Sequence, residues 1–411
     1  RIGFNWAVDE ERNTQVRGGV GLFSGRFPYV WISNQYSNTG VDFYTYTTAP
    51  NAFVADPYNQ PKPSTSTFPT AEVDITDPDF KAPAIIRVNL GIDQRLPYDF
   101  IASVEGLFSW SQNEVYYQNI NLAGQQTNGG LTAGGKLIGE NREVWGILNT
   151  TGSSIGKYGT SGVKVNSRFT AVYLVKNTDQ GSNSNITFQL QRQATADPLN
   201  AMIGYTWTKA MDIGGSNSTT ASSGWRFNPS RGNPNDPALS YADNDRTHRL
   251  MGTVSYRFDW GWHGLATTVG FFYNALSGQR FSYVANGDVN GDGLSDNDLV
   301  YVPKDANDII FMGPTTYGQA VSATNPLIKL TDRSRTEYSQ LMAFIENDSY
   351  LKEHKGQVME RNGSTSPWWH LINLRISQEI PSVYGHKVEL TFDVLNVMNL
   401  IDKTAGWTKA A

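Results

Sequence analysis

The feature that most limits how this chain can fold is a rhythm in its connections. Runs in which apolar and polar residues alternate recur along the whole sequence. The segments between them switch strictly between a handful of residues and several tens. His248 to Leu276 shows the unit. Leu250, Val254, Tyr256 and Phe258 alternate with Met251, Thr253, Ser255 and Arg257. After Gly261 and Gly264, Val269, Phe271 and Tyr273 share one face, with Thr268 and Asn274 on the other. Successive side chains of a strand point to opposite faces, so each run is apolar on one side and polar on the other, and the glycine-bearing turn predicts an antiparallel hairpin. Each run is about ten residues, the length that crosses a bilayer at a tilt of about 45°.

The same alternation is read at 2–8, 14–23, 86–93, 100–110, 169–175, 186–191, 203–208, 372–377 and 388–394, about eleven strands in all. Turns near 97–99, 196–199, 260–264 and 381–386 are tight. The excursions near 24–83, 111–164, 214–246 and 277–368 are long. The first of these carries no helical periodicity and reads as a long ordered loop, while a short helix is expected around Tyr338–Leu351 in the last. A soluble sandwich has no rule separating its short loops from its long ones; an outer-membrane barrel has short periplasmic turns and long extracellular loops. The expected fold is all-β, an antiparallel transmembrane β-barrel.

Composition narrows the alternatives. No stretch approaches the ~20 continuous apolar residues that a membrane helix needs, and mean hydropathy is negative. Neither fact bears on a barrel, in which half of every strand is polar. The 11 Trp, 20 Tyr, 19 Phe and 39 Gly suit a barrel with interfacial girdles or a lectin-like sandwich, which keeps a secreted Ca²⁺-dependent carbohydrate-binding protein as the soluble alternative. The absence of cysteine removes disulfide scaffolds and thiol chemistry. A net charge of −5 without basic runs makes nucleic acid an unexpected partner. The chain opens almost inside a strand (IGFNWAV), from which a preceding natural segment is expected.

Two sets of residues stand out chemically. Asp288, Asn290, Asp292, Gly293, Leu294, Asp296 and Asp298 form D-x-N-x-D-G-x-x-D-x-D. Oxygen donors at alternate positions, a glycine at the sharp turn and a backbone carbonyl at Leu294 suit a structural Ca²⁺ that stiffens an extracellular loop, although Leu299 stands where an EF-hand has its bidentate Glu. The other reading is a solvated Asp/Asn/Gly turn, set against the mutual repulsion of four carboxylates. Trp31, Tyr36, Tyr44, Tyr46 and Trp225 could stack on a sugar or peptide, or serve as interface and packing aromatics. Arg87, Asp93, Glu105, Arg257, Arg375, Glu389 and Asp393 fall on the polar faces of their strands and are assigned to the lumen, since on lipid each would cost a few kcal/mol near the midplane. Catalysis is not expected. GSSIG at 152–156 matches G-x-S-x-G without a strand-to-helix elbow, and the five histidines show no metal-ligand spacing. No cofactor is required beyond the candidate Ca²⁺.

Several strings carry a family resemblance: RIGFNWAV with TQVRGGVGLFSGRFPYVWISNQYSNTGV, ITDPDFKAPAIIRVNLGIDQRLP, YTWTKAMDIGG with SYADNDRTHRLMGTVSYRF, GDVNGDGLSDNDLVYVPKD, FIENDSYLKEHKGQVMERNGSTSPWWHLINLRISQEI and KVELTFDVLNVMNL. Together they resemble the barrel of TonB-dependent outer-membrane receptors of the Oar-like branch found in Bacteroidetes and related bacteria. The resemblance implies a plugged barrel of about 22 strands, of which residues 1–411 are the C-terminal portion; the plug domain and TonB box lie outside this sequence. It further implies import of a peptide, glycan or metal chelate in the outer membrane of a Gram-negative bacterium. Energy coupling would come from TonB, ExbB and ExbD, and a surface lipoprotein would be a partner. A structural, adhesion or secretion-associated barrel without active transport is the alternative.

Overall fold

The computed structural model describes the chain apart from residues 27, 43–52, 61–69, 126–131, 134–135, 138–140, 149–157, 160–163, 194–196, 215–217, 262–263, 306–307, 309–310, 315–326, 331–335 and 404–411. Thirteen strands matter here: β1 (Ile2–Ala7), β2 (Thr14–Ser24), β3 (Ala71–Thr76), β4 (Ala84–Leu96), β5 (Phe100–Gln112), β6 (Glu114–Asn119), β7 (Phe169–Thr178), β8 (Ser182–Gln193), β9 (Leu199–Asp212), β10 (His248–Asp259), β11 (Ala266–Leu276), β12 (Trp369–Pro381) and β13 (Lys387–Val394). Ten of them form one continuous antiparallel wall in the order β1-β2-β4-β5-β8-β9-β10-β11-β12-β13. The sheet is open, with β1 and β13 at its edges.

The alternation read from the sequence becomes two continuous faces. Along one row of the ladder Ile92 lies opposite Val104, Val104 opposite Phe188, Phe188 opposite Tyr205 and Tyr205 opposite Leu250. Along another, Val254, Phe271 and Leu374 follow one another. These side chains turn away from the protein: Val254 is 43% exposed, Phe271 45% and Phe392 63%. A sandwich would bury them. Gly18 shows how closely that face is fitted, because a Cβ there would stand 2.8 Å from the ring of Phe4, its cross-strand partner. The glycine leaves the gap over which the Phe4 ring lies.

All short connections lie at one end of the wall and all long ones at the other. Tyr98 and Asp99 (φ 65° and 63°), Gly261 and Gly264, and Tyr384 and Gly385 adopt left-handed conformations in the tight turns, the geometry that lets the chain reverse within a few residues.

One strand differs from its sequence-based placement. Phe169–Val175 is not a wall strand. It belongs to β7, which lies between β3 and β6 in a separate three-stranded sheet, parallel to β3 and antiparallel to β6. This sheet prolongs the wall: β5 runs into β6 past Asn113 (φ 58°), β7 runs into β8 past Gly181 (φ 147°), and the Ser111 N–H donates to the Gly181 carbonyl at 3.0 Å. The excursion 24–83 also holds more than a loop, with helix α1 (Val30–Ser37) and β3 inside it. Its eight helical residues present no apolar stripe, so no helical period was there to read. The helix expected near 338–351 is present as two pieces, α3 (Thr336–Asn347) and α4 (Ser349–Glu353), after the short α2 (Ala221–Arg226). Asp348 caps α4 by accepting from the Leu351 N–H at 2.8 Å.

Among the described residues the hydrophobic core clusters lie at the long-loop end. One centres on Val115, Tyr117, Tyr173, Val175 and Trp225, and two smaller ones on Leu299 with Met359 and on Val302 with Ile345. The wall has an oily outside and the crown above it has an oily inside.

Candidate functional site

The inner face of the wall is polar and internally charge-matched. Arg17 on β2 donates through Nε to Asp93 at 3.0 Å and through Nη1 to Glu105 at 2.9 Å. Arg375 grips Asp393 with two parallel hydrogen bonds of 2.7 and 2.9 Å. Arg257 does the same to Glu379, whose second partner is Lys387 at 2.9 Å. Of the residues assigned to the lumen, Asp93, Glu105, Arg257, Arg375 and Asp393 therefore take part in ion pairs on that face. Arg87 lies 5.8 Å from the centre of the Phe23 ring. Arg17 was not among them, although it shares its face with Gln15 two residues earlier. Toward the short-turn end the same face forms a polar concavity of ≈ 660 Å³ lined by Asn5, Gln15, Asp93, Ser103 and Gln191.

At the long-loop end the crown interlocks its loops. Trp145 donates from its backbone to the Asn290 carbonyl at 2.7 Å and from its indole to the Gly232 carbonyl at 3.0 Å. Asn290 donates to the same Gly232 carbonyl at 3.1 Å. The Ser230 N–H reaches the Asn297 carbonyl at 2.8 Å. Asn235 holds another seam: its Oδ1 accepts from the Asn119 N–H at 2.7 Å and from the Trp225 indole at 2.9 Å. Three excursions, near 111–164, 214–246 and 277–368, thus meet at the Asp-rich segment.

That segment is folded tightly on itself. Asp288 accepts from the Gly291 and Gly293 N–H groups at 2.6 and 2.9 Å, and Asp292 from the Leu294 N–H at 2.9 Å and the Asn297 amide at 2.7 Å. Asp298 accepts from the Val289 N–H at 2.7 Å. Burial pushes Asp288 up to about 6 and Asp292 up to about 7, and it raises Asp298; their mutual repulsion adds to the rise in Asp288 and Asp292. Asp296 is exposed, and the Leu294 side chain packs on the crown core. Among the described residues no three His, Asp or Glu side chains are grouped so as to hold a metal ion. A protein cation reaches the segment. The Arg142 guanidinium, 1% exposed, lies 3.2 Å from Asp298, which is 0% exposed, and also donates to the Leu299 carbonyl. Nothing in the sequence near Arg142 marks it, because its partner is 156 positions away.

A further buried acid, Asp74, lies within the three-stranded sheet on β3. Burial raises Asp74 to about 6 despite the 2.7 Å hydrogen bond it accepts from the Asn38 amide, and it raises Tyr117 to about 12.

The aromatic candidates separate. Trp225 is 3% exposed inside the crown core, where its ring lies 5.6 Å from that of Tyr173. Trp31 is half-buried against the same core and donates to the Ser218 carbonyl at 3.0 Å. Both rings pack against the crown core. Tyr36 is 85% exposed. Tyr44 and Tyr46 lie outside the described residues, as does the GSSIG string.

An oily outer belt, a charge-matched inner face, short turns at one end and a folded crown at the other define an integral β-barrel wall of an outer membrane. The chain belongs to the family described as "Outer membrane beta barrel domain", whose model matches residues 1–402. It is an outer-membrane protein of a Gram-negative bacterium. No curated protein matches the chain. Among solved structures it is similar to the outer membrane transporter YddB from Escherichia coli, with 9% identity and a TM-score of 0.44 over 97% of this chain. The match covers 36% of that transporter, so this chain spans about a third of its length.

Proposed function

We propose that this barrel is a TonB-dependent receptor and transporter of the Oar-like branch, which binds a peptide, glycan or chelate with its crown and admits it through a plugged lumen. The observation that carries the reading is the polar inner face, with its ion pairs and the concavity beside Asp93, set beneath a crown whose loops are locked together. Lipid cannot wet such a face; water, a plug or a passing solute can. The open edges β1 and β13 support the same reading. Unpaired backbone groups in hydrocarbon cost several kcal/mol each, so the wall is completed by further strands, as a barrel of about 22 requires.

The test is uptake by cells that carry the intact gene or its deletion, fed labelled oligopeptides, oligosaccharides and metal chelates in turn. Transport of one class that needs both the gene and the proton-motive force supports the proposal. Surface binding that persists unchanged after the force is collapsed, with no internalised label, replaces it with an adhesion or presentation barrel.

A further inference from the structure

Ladder register sorts the outer face at the crown end into tiers. Ile203, Tyr205, Trp207 and Lys209 point outward in succession along β9, because side chains two apart share a face. Trp207 lies opposite His248. The Thr208 N–H donates to the Thr247 carbonyl at 2.9 Å, which carries the same register one step further, so Lys209 and Arg246 are the next residues of the two segments beyond that pair. Arg246, just before β10, donates to the side chain of Gln279, just beyond β11, at 3.3 Å.

Reading upward from the midplane, the outer face is first aliphatic and phenyl, with Val254 and Phe271. A tier of stacked rings follows. Tyr205 is hydrogen-bonded to His248 at 2.7 Å, His248 is stacked 5.9 Å from Trp368, and Tyr273 is hydrogen-bonded to His370 at 2.9 Å. Lys209 and Arg246 stand immediately above. This is the depth order of a membrane boundary, in which aromatics mark the headgroup level and cations meet the charged surface.

Neither cation has a carboxylate partner among the described residues. The acids nearby are engaged elsewhere. Asp245 is held by Arg280 and by the Ala210 N–H, and Asp243 accepts from Arg361 and Asn362. Both cations are pre-positioned, Lys209 by the Tyr241 ring 6.0 Å away and Arg246 by Gln279. The pairing is local. At the same end of β2, β4 and β5 the outward positions are Ser24, Ala84 and Gln112, which lie on neighbouring strands and carry no charge.

We propose that Lys209 and Arg246 form an outward-facing seat for the phosphate of an outer-leaflet lipid, its acyl chains lying down the Phe271 and Val254 belt and its sugar or glycerol against Trp368. The seat rests on the membrane placement alone and stands whether or not the barrel transports.

The test uses the intact protein, purified in detergent and reconstituted in nanodiscs of phosphatidylethanolamine alone, with phosphorylated lipid A glycolipid, or with its dephosphorylated form. Retained lipid is read by native mass spectrometry. Each cation near an anionic surface contributes about a factor of five, so K209A/R246A should lower retention of the phosphorylated lipid about thirtyfold. The charge-preserving K209R/R246K should retain it. Heat-modifiable migration confirms that each variant is folded, and K209Q alone serves if the double variant is not. Retention by the double variant within about threefold of the parent overturns the seat. Equal retention of the dephosphorylated lipid does so too. Competition by inorganic phosphate as strong as that by the lipid would make this an ion site and overturn the lipid assignment.

Discussion

Arg142 is the residue on which the crown's Asp-rich segment most depends, and its loss has a calculable consequence. Arg142→Ala would strip the guanidinium from Asp298 in a site where both side chains are almost fully buried. Breaking one partner out of a buried ion pair costs about 3–5 kcal/mol, because the other charge is left without water or counter-ion. Asp298 is already raised by burial, so it takes up a proton instead of enduring that cost in full, and the lower end of the range applies. About 3 kcal/mol corresponds to a rise of roughly a hundredfold in local opening. Hydrogen exchange of the amides in 285–302 measures it, with the 248–276 hairpin as the internal reference: the loop should exchange about a hundredfold faster and the hairpin should not change. Replacing both partners by apolar residues, R142M with D298L, should recover most of the protection, since no charge is then stranded. The same measurement separates the protein cation from calcium. With Arg142 already paired to Asp298, a chelator should leave exchange in 285–302 as it was. Exchange in R142A within about threefold of the parent would refute the reasoning, as would protection that collapses on chelation.

Three further outcomes are expected. Burial holds Asp292 at about 7 and Asp288 and Asp74 at about 6, so each binds a proton in the folded crown that it lacks when unfolded, from about pH 4 to about 6 for Asp288 and Asp74 and to about 7 for Asp292. Crown stability therefore falls as pH rises through those windows. Proteolysis of the loops should be slower at about pH 5.5 than at about 7.5, and the opposite order would reject the burial argument. Phe271→Arg should destabilise the reconstituted barrel by about 2–4 kcal/mol, while Thr253→Arg, one ladder row away on the other face, should cost under about 1 kcal/mol; equal costs, measured by denaturant titration in vesicles, would erase the two-face assignment. Arg17→Ala leaves Asp93 and Glu105 on a face where Arg17 is 36% exposed, so water screens the loss, and heat-modifiable migration should shift by the equivalent of less than about 1 kcal/mol.

How much of this was legible beforehand follows from where each signal resides. Alternation, turn glycines and loop lengths are local, and they place the wall, its register and the sidedness of its charges: Asp93, Glu105, Arg257, Arg375 and Asp393 all lie on the inner face. The crown is built from contacts between residues far apart, and single-sequence patterns do not report them. Arg142 in a Gly- and Asn-rich run looks like any solvated arginine until Asp298 arrives from another excursion. Asn235, which ties Trp225 to Asn119, is equally unmarked.

The strand at Phe169–Thr178 makes the limit explicit. Its run of Ala171, Tyr173 and Val175 resembles that of Val254, Tyr256 and Phe258, although Val172 and Leu174 leave its opposite face partly apolar, yet the first set is buried to within a few per cent and the second is more than 40% exposed. Alternation states that one face of a ribbon avoids water and leaves open whether lipid or protein covers it. Connection lengths resolve that for the wall, because a strand entered by a tight turn and left by a long excursion spans the membrane. Phe169–Thr178 has a long excursion before it and only Asp179 to Gly181 before the next strand, without any reversal of direction. Its ribbon is the upper half of a wall hairpin that has left the bilayer, and the apolar face that lipid covers lower down is covered there by Trp225 and its neighbours.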